Sequence, residues 1–230
     1  MYLKKLFYRV FPPTINVLVR TSNRPNYFKA CYNSIVNQTY NNVRIIVSYD
    51  NDQSLEYLDL YDHITKIRVD IDDYSDVIPP VIKRDIGQYK FPYNLYLNTL
   101  GSYVKNGFIM YLDDDDIFTN DKSVENLVKN INSRDDLIFW RVQFPDGIII
   151  PEDDYFRKEP VYCHISGIGF AFHKKYIDFA QWDGWKGSDY AVATKLYNAV
   201  PNKVYIDEVL TGLQRNTGWG GQGDQKDKIV

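Results

Sequence analysis

The sequence predicts an α/β fold in which a mostly parallel mixed sheet carries helices on both faces. Apolar runs typical of buried strands alternate with amphipathic helical patterns through the first half of the chain. Two of these runs end in acidic residues, at Asp50 and at Asp113–Asp116. Because open α/β sheets bind ligands beyond the carboxyl ends of their strands, these acidic ends mark the candidate functional edge.

The elements of the first half follow from the spacing of apolar residues. A strand precedes the polar loop Arg20–Pro25, and Pro25 is well placed to open the helix that follows. Residues 70–92 have no periodicity and predict a long loop, which in a compact domain is often functional. The predicted elements are strands at 14–19, 43–47, 67–69 and 108–112, and helices at 25–36 and 53–62, before Gly107, and after Asn120 or Asp121.

The second half of the chain gives a mixed pattern without internal repeats or a linker, which favours a single domain. The predicted elements here are strands at 137–144, 147–150, 169–173 and 204–206, a short helix from Lys174 and a helix around 190–197. The glycine-rich residues 218–224 predict a flexible C-terminal loop.

Composition narrows the class of protein. The chain has 230 residues, 44% of them hydrophobic, which is enough for a sizeable core in one domain. A net charge of −3 disfavours a general nucleic-acid binder. No apolar stretch reaches the roughly 20 residues of a membrane span, and the start does not resemble a secretory signal. Cys31 and Cys163 are predicted to be free thiols, so we expect a cytoplasmic location.

The run Asp113–Asp116 has no positive neighbour in sequence. Two like charges about 4 Å apart repel by roughly 4 kcal/mol at an effective dielectric constant of about 20. The run is therefore either a solvated acidic loop or a site for a divalent cation. Mg²⁺ and Mn²⁺ both take carboxylate oxygens, and Mg²⁺ commonly also holds substrate phosphates.

Three segments of the chain resemble family 2 glycosyltransferases of the GT-A fold. Residues 17–25 are similar to the opening strand and its Thr-x-Asn-Arg-Pro loop, and residues 34–50 to the Gln-Thr-Tyr helix end and the second, acid-tipped strand. Asn98, Gly101 and residues 112–116 resemble the Asn…Gly…Leu-Asp-x-Asp-Asp block. The clear resemblance covers about the first half. It implies one GT-A-like Rossmann-type domain over 1–230, with a nucleotide-sugar-binding half at about 1–118 and an acceptor-binding half at about 119–230.

The resemblance also implies roles for individual residues. The metal, Mn²⁺ or Mg²⁺, would be held by Asp115 with Asp113 and a histidine, either His164 or His173, while Asp116 would shape the loop. The residues expected to bind the nucleotide-sugar are Thr21, Asn23, Arg24, Asp50, Arg84, Asn98, Asp113, Asp114 and Arg215.

Inverting sugar transfer needs a carboxylate that takes the proton from the acceptor hydroxyl. In the family this base belongs to a Glu-Asp pair that opens a late helix. Asp189 is the predicted base here, although Ser188 stands where the family has Glu. Asp183 is the second candidate, and its neighbours Trp182 and Trp185 suit either a platform for the acceptor sugar or the hydrophobic core.

The sequence therefore predicts a metal-dependent, inverting enzyme that moves a sugar from a UDP- or GDP-linked donor to a hydroxyl of a glycan or glycoconjugate. A phosphatase or nucleotidyltransferase using the same carboxylates is one alternative. A nucleotidyltransferase would be expected to have a glycine-rich phosphate loop, and residues 20–25 contain no glycine. The other alternative is a non-catalytic sugar- or metal-binding module, which a large separation between Asp189 and Asp115 would favour.

Overall fold

The computed structural model describes residues 12–70, 92–183, 187–215 and 227. None of the helices in these ranges is long and apolar enough to cross a membrane. The strands are β1 (Ile15–Arg20), β2 (Val43–Tyr49), β3 (Ile64–Arg68), β4 (Phe108–Asp113), β5 (Asp116–Phe118), β6 (Asp136–Gln143), β7 (Ile149–Ile150), β8 (Phe170–His173) and β9 (Asn202–Leu213). The helices are α1 (Pro25–Val36), α2 (Asp52–Leu58), α3 (Pro92–Tyr103), α4 (Ser123–Asn130) and α5 (Ser188–Ala199), with a 3₁₀-helix at Lys174–Phe179.

The described strands form one sheet in the order β3-β2-β1-β4-β8-β6-β9-β5, and β7 pairs with β6. Strands β3, β2, β1 and β4 run parallel to one another. Strand β8 lies between β4 and β6 and is antiparallel to both. Strand β9 runs parallel to β6, and β5 is antiparallel to β9. The sheet is parallel in the first half of the chain and mixed in the second, which confirms the predicted fold class.

Helices cover both faces of the sheet. Val17 and Met110 point to one face, where they join a core cluster with side chains of α1, α2 and α4. Leu18 and Tyr111 point to the other face and join a cluster with side chains of α3 and α5. Because β1 and β4 are buried on both sides, they contain the uninterrupted apolar runs 17–19 and 108–112 rather than an alternating pattern.

Two observed elements differ clearly from the prediction. The strand β5 directly after the aspartates was not predicted, because three residues show no measurable period. Strand β9 extends well beyond the predicted residues 204–206. Its exposed residues Asp207 and Glu208 interrupt the apolar pattern, and its register shifts against β6. The predicted loop at 70–92, apart from its two end residues, and the glycine-rich residues 218–224 lie outside the described residues.

Gly107 allows β4 to begin directly beside β1. Its φ is +96°, in a region where any side chain is strained. A Cβ at this position would lie 2.4 Å from the backbone oxygen of Thr14. That oxygen also accepts a hydrogen bond from the N–H of Phe108, at 2.8 Å. The close approach fixes the register of the two strands, whose other ends pair Arg20 with Asp113.

We expect Gly107→Ala to destabilise the protein more than Gly147→Ala does. Both glycines have a positive φ, +96° and +89°, which costs about 1–2 kcal/mol once a side chain is present. A Cβ at Gly147 meets nothing within 4 Å, whereas at Gly107 the Thr14 backbone must also move. Urea unfolding of both variants measures the difference. Equal losses of stability would contradict the importance of the close approach.

Candidate functional site

The carboxyl ends of β1, β2 and β4 meet at one edge of the sheet. Arg20, the last residue of β1, is paired in register with Ser48 of β2 and with Asp113 of β4. The loops that follow these strands carry the predicted site residues. Thr21, Asp50 and the aspartate run therefore lie side by side, as strand order and polarity require.

Asp113 forms a two-pronged ion pair with Arg20. The Nε and Nη2 atoms of Arg20 donate to the two carboxylate oxygens at 2.6 and 2.5 Å. The Arg20 and Asp113 side chains are 26% and 29% exposed. Solvent therefore screens this pair in part, and its contribution to stability is correspondingly modest.

Asp114 is fully buried and is held by two residues of the β1–α1 connection. The Thr21 hydroxyl donates to its Oδ2 at 2.6 Å, and Arg24 Nε donates to the same atom at 2.9 Å. Arg24 Nη2 also contacts Oδ1. Burial raises the pKa of Asp114 to about 7, even though Arg24 opposes the shift. The Asp114 side chain thus connects the end of β4 to the β1–α1 connection through buried contacts. Its predicted contact with the nucleotide stays a prediction.

Asp115 lies between two arginines that come from opposite ends of the chain. Its Oδ2 accepts a hydrogen bond from Arg24 Nη1 at 3.2 Å and is also contacted by Arg215 Nε. Arg215 follows β9, is buried, and lies over the Tyr27 ring with its Cζ 5.5 Å from the ring centroid. Two guanidinium groups therefore converge on the carboxylate predicted to bind the metal.

Asp116 turns back under the loop. Its Oδ2 accepts the backbone N–H of Asp113 at 2.8 Å, which closes the tight turn between β4 and β5. Burial raises the pKa of Asp116, and the charges of Asp115 and Asp113 raise it further. Asp113, Asp115 and Asp116 each offer a carboxylate oxygen within 4.8 Å of the others. Asp116 is thus a third carboxylate near the predicted metal site, besides its role in the loop.

Three arginines reduce the repulsion among the aspartates of the run: Arg20, Arg24 and Arg215. Each of them pairs with at least one of the first three aspartates of the run. Burial lowers the pKa of Arg24, but the surrounding carboxylates raise it by more, so its guanidinium stays charged. The run is neither a solvated loop nor dependent on a cation alone, because protein cations already balance most of its charge.

Asp50 and Asn23 line the other side of this edge. The Asp50 carboxylate accepts hydrogen bonds from the Ser22 hydroxyl at 3.1 Å and from the Asn51 side chain at 2.6 Å. Asn23 adopts a φ of +52°, and its backbone N–H donates to the Ser54 hydroxyl at 3.0 Å. Both residues therefore have fixed positions beside Thr21.

Tyr96 of α3 was missed by the sequence interpretation. Burial raises its pKa, and both the charge of Asp50 and a hydrogen bond to that carboxylate raise it further. A tyrosine in a helical apolar pattern gives no signal of such a contact. Arg84, also predicted at this edge, lies outside the described residues.

Asn98 contacts the segment before α5. Its side-chain amide donates to the Trp182 carbonyl at 2.9 Å and accepts the Trp182 N–H at 2.9 Å. Its predicted nucleotide contact therefore stays a prediction. Trp182 itself is buried and meets the Tyr111 ring edge to face at 5.2 Å. Of the two alternatives for Trp182, its burial favours the core over a sugar platform, and Trp185 lies outside the described residues.

The histidines do not join the aspartates. His173 is paired with Phe108 at the beginning of β4, whereas Asp113 is at its end, about 17 Å away at roughly 3.3 Å per residue. Its Nδ1 accepts the Lys175 N–H at 3.3 Å, so the prediction of His173 as a metal ligand is wrong. His164 stacks on Tyr155 with ring centroids 3.7 Å apart. In the described part of the chain, the acidic group of potential metal ligands contains no histidine.

Asp189 and Asp183 have different environments. Asp183 is 63% exposed and forms an ion pair with Lys195 at 2.7 Å. Asp189 lies in the first turn of α5, half-buried, and accepts the Tyr190 N–H at 2.8 Å. Burial raises the pKa of Asp189, and the charge of Asp113 raises it further. Asp189 is therefore within electrostatic reach of the aspartate run.

The start of α1 carries a contact that the sequence did not predict. The Asp227 carboxylate accepts the backbone N–H groups of Asn26 at 3.0 Å and Tyr27 at 3.1 Å. Unpaired N–H groups at a helix start favour an anion. Asp227 thus lies beside Tyr27, the residue on which Arg215 rests.

Comparisons with known proteins bear on the fold. No protein-family model matches the sequence, and no curated protein does. The crystal structure of residues 1–349 of S. aureus TarS matches this chain with a TM-score of 0.66 and 14% sequence identity. The match covers 87% of this chain and 60% of the TarS fragment. The same TarS fragment in complex with UDP-GlcNAc has a TM-score of 0.64 at 15% identity, covering 89% and 59%.

A longer S. aureus TarS structure also matches, with a TM-score of 0.64 at 12% identity, and here this chain spans 36% of the TarS length. At such identities the matches show the fold and not the reaction. They confirm the GT-A-like Rossmann fold that the sequence resemblance implied. The chain spans about 60% of the TarS 1–349 fragment, so its activity, substrates and partners are matters for a proposal.

We expect Arg24→Met to destabilise the protein far more than Arg20→Met. Methionine keeps much of the side-chain volume but leaves Asp114 buried without its cation, which costs about 3–5 kcal/mol. Removing Arg20 leaves a carboxylate that water reaches, at a cost of about 0–1 kcal/mol. Guanidinium unfolding followed by circular dichroism measures both. Similar losses in the two variants would contradict the central role given to the Arg24–Asp114 pair.

Proposed function

We propose that this chain is a glycosyltransferase that transfers a sugar from a nucleotide-diphospho-sugar to a hydroxyl of a glycan or glycoconjugate, with inversion. The observation that carries the proposal is the sheet edge at which the carboxylates of Asp113, Asp115 and Asp116 lie within 4.8 Å of one another, beside three arginines. A carboxylate of raised pKa beside a site rich in arginine and aspartate provides a base next to an anion-binding edge. The structures of S. aureus TarS with UDP and UDP-GlcNAc support a UDP-linked donor.

The nucleoside of the donor would lie against Thr21 and Asp50. The Asp50 carboxylate, which is held by hydrogen bonds from Ser22 and Asn51, would accept a hydrogen bond from the imide N–H of uracil or an amino group of guanine. Such a contact would give a role to the acidic residue that follows β2. The choice between UDP and GDP rests on this one carboxylate and on the fold likeness.

The diphosphate would be bound by the arginines. Guanidinium groups bind phosphate oxygens through paired hydrogen bonds. Arg215 Nη1 is buried and has no hydrogen-bond partner among the described residues, so it has donor capacity for an anion. Arg24 and Arg215 currently share Asp115, and a diphosphate would compete with that carboxylate for them.

A divalent cation fits this donor set. Asp113, Asp115 and Asp116 provide hard oxygen ligands that lie close to one another, as Mn²⁺ and Mg²⁺ require. Asp115 would be the main ligand, with Asp113 beside it, and its contact with Arg215 would be exchanged. When bound, such a cation neutralises charge on a nucleoside diphosphate as a Lewis acid.

Asp189 would accept the proton of the acceptor hydroxyl as that oxygen attacks the anomeric carbon. The bond from that carbon to the diphosphate oxygen would break in the same step, and the nucleoside diphosphate would leave. The raised pKa makes the Asp189 carboxylate a stronger base than an ordinary aspartate. Asp183 is less suited, because it is exposed and paired with Lys195.

The proposal predicts that Asp189→Asn lowers the turnover of the donor by about 10²–10⁴-fold, because asparagine cannot take the proton. The measurement is release of UDP or GDP from UDP-glucose, UDP-GlcNAc and GDP-mannose with Mn²⁺. Asp183→Asn is the matched control and should retain wild-type turnover. Equal activity of wild type and Asp189→Asn, or no turnover of any donor by wild type, would contradict the proposal.

The pH profile of the same reaction gives an independent check. Only the ionised Asp189 accepts a proton, so activity should fall as the pH drops through its raised pKa. The acid limb should therefore lie above the range of an ordinary aspartate. Residual activity of Asp189→Asn should lack this limb.

A further inference from the structure

Tyr162 presents an exposed aromatic ring next to the start of α5. Its side chain is 51% exposed. The ring lies directly over Gly187, where a Cβ would be only 2.4 Å from Tyr162 Cε2. Gly187 also has a φ of +68°, so two independent reasons require glycine at this position. The chain therefore leaves room for the Tyr162 ring at the residue that precedes the helix of Asp189.

Tyr190 fixes the same ring from a second side. The two rings meet edge to face, with centroids 5.8 Å apart and planes at 84°. Tyr190 directly follows Asp189, and its backbone N–H binds the Asp189 carboxylate. Tyr162 thus packs against the residues on both sides of Ser188–Asp189, which ties its position to that of the proposed base.

Gly167 lies beside Asp189 and the Trp182 ring. A Cβ at Gly167 would lie 3.0 Å from the Trp182 ring and 3.6 Å from Asp189 Cβ. Trp182 is buried, so its ring does not offer an exposed surface for a ligand. Among the described residues around Asp189, Tyr162 therefore offers the exposed ring that the tryptophans were expected to supply.

We propose that Tyr162 is the platform for the acceptor, and that the acceptor presents a pyranose ring to it. An exposed tyrosine combines an apolar face, which matches the C–H face of a sugar, with a polar hydroxyl at its edge. A sugar stacked on Tyr162 would have its hydroxyls beside Asp189. This inference rests on the proposed function and adds the position and chemical class of the acceptor.

The test uses saturation-transfer-difference NMR on the full chain with three probes: the methyl β-glycosides of glucose, galactose and N-acetylglucosamine. At least one probe should receive saturation on its ring protons. Affinity for that probe should fall about three- to tenfold in Tyr162→Ala and Tyr162→Leu, as expected for loss of one aromatic contact. Tyr162→Phe keeps the ring and should retain most of the binding.

Tyr103→Ala is the matched control, because Tyr103 is also 51% exposed but lies at the end of α3. It should bind the probe like wild type. Binding unchanged in both Tyr162→Ala and Tyr162→Leu, or absent for all three probes, would overturn the assignment of Tyr162. Thermal shifts by UDP and GDP with Mn²⁺ separate the two proposals. Wild-type protein that binds neither nucleotide contradicts the glycosyltransferase itself.

Discussion

The buried contact between Asp114 and Arg24 is the interaction on which the arrangement of the site depends. A carboxylate at zero exposure is tolerated only with a cation and hydrogen-bond donors around it. Arg24 and Thr21 supply both, and they stand on either side of the short connection from β1 to α1. The pair therefore fixes the entry to α1 against the end of β4. With Asp114 turned inward, the turn directs Asp113 and Asp115 toward the edge of the sheet.

The same constraint explains why three arginines gather at one sheet edge. Each carboxylate of the run that is withdrawn from water needs positive charge, and no neighbour in sequence provides it. Arg20 and Arg24 come from β1 and its loop, and Arg215 comes from the end of β9. In the proposed function, the guanidinium groups at this edge would bind a diphosphate. Ligand binding would then exchange one set of ion pairs for another rather than create charge in a buried place.

The residues at the end of β9 connect the aspartate run to the second half of the chain. Strand β5 begins at the last aspartate of the run and pairs with β9. Strand β9 ends two residues before Arg215. The Gln214 N–H donates to the Asp115 carbonyl at 2.8 Å, so the chain after β9 is attached to the aspartate loop by its backbone as well. Arg215 thus follows a strand of the second half of the chain, and its side chain contacts Asp115 in the first half.

Much of the fold could be predicted from the sequence, because strands buried on two faces and amphipathic helices leave clear periodic signals. The acidic edge and Asp189 could also be located, since the end of a parallel strand and the start of a helix are local features. The arginine partners could not be paired with their aspartates, because about 90 to 100 residues separate them in sequence. His173 was misplaced for a related reason. It ends an apolar strand, but β8 is antiparallel to β4, so its end lies at the wrong edge. Tyr162 gives no local signal, since its role comes from contacts with Gly187 and Tyr190.

We expect a divalent cation, bound together with a nucleoside diphosphate, to replace Arg215 on Asp115. Crystals grown with UDP and Mn²⁺, with diffraction recorded at the manganese absorption edge, test this expectation. The account predicts an anomalous peak at the carboxylates of Asp113 and Asp115, a diphosphate beside it, and Arg215 Nε withdrawn from Asp115. A nucleotide bound elsewhere on the protein, or bound at this edge with the Arg215–Asp115 contact intact and no manganese peak, would contradict it.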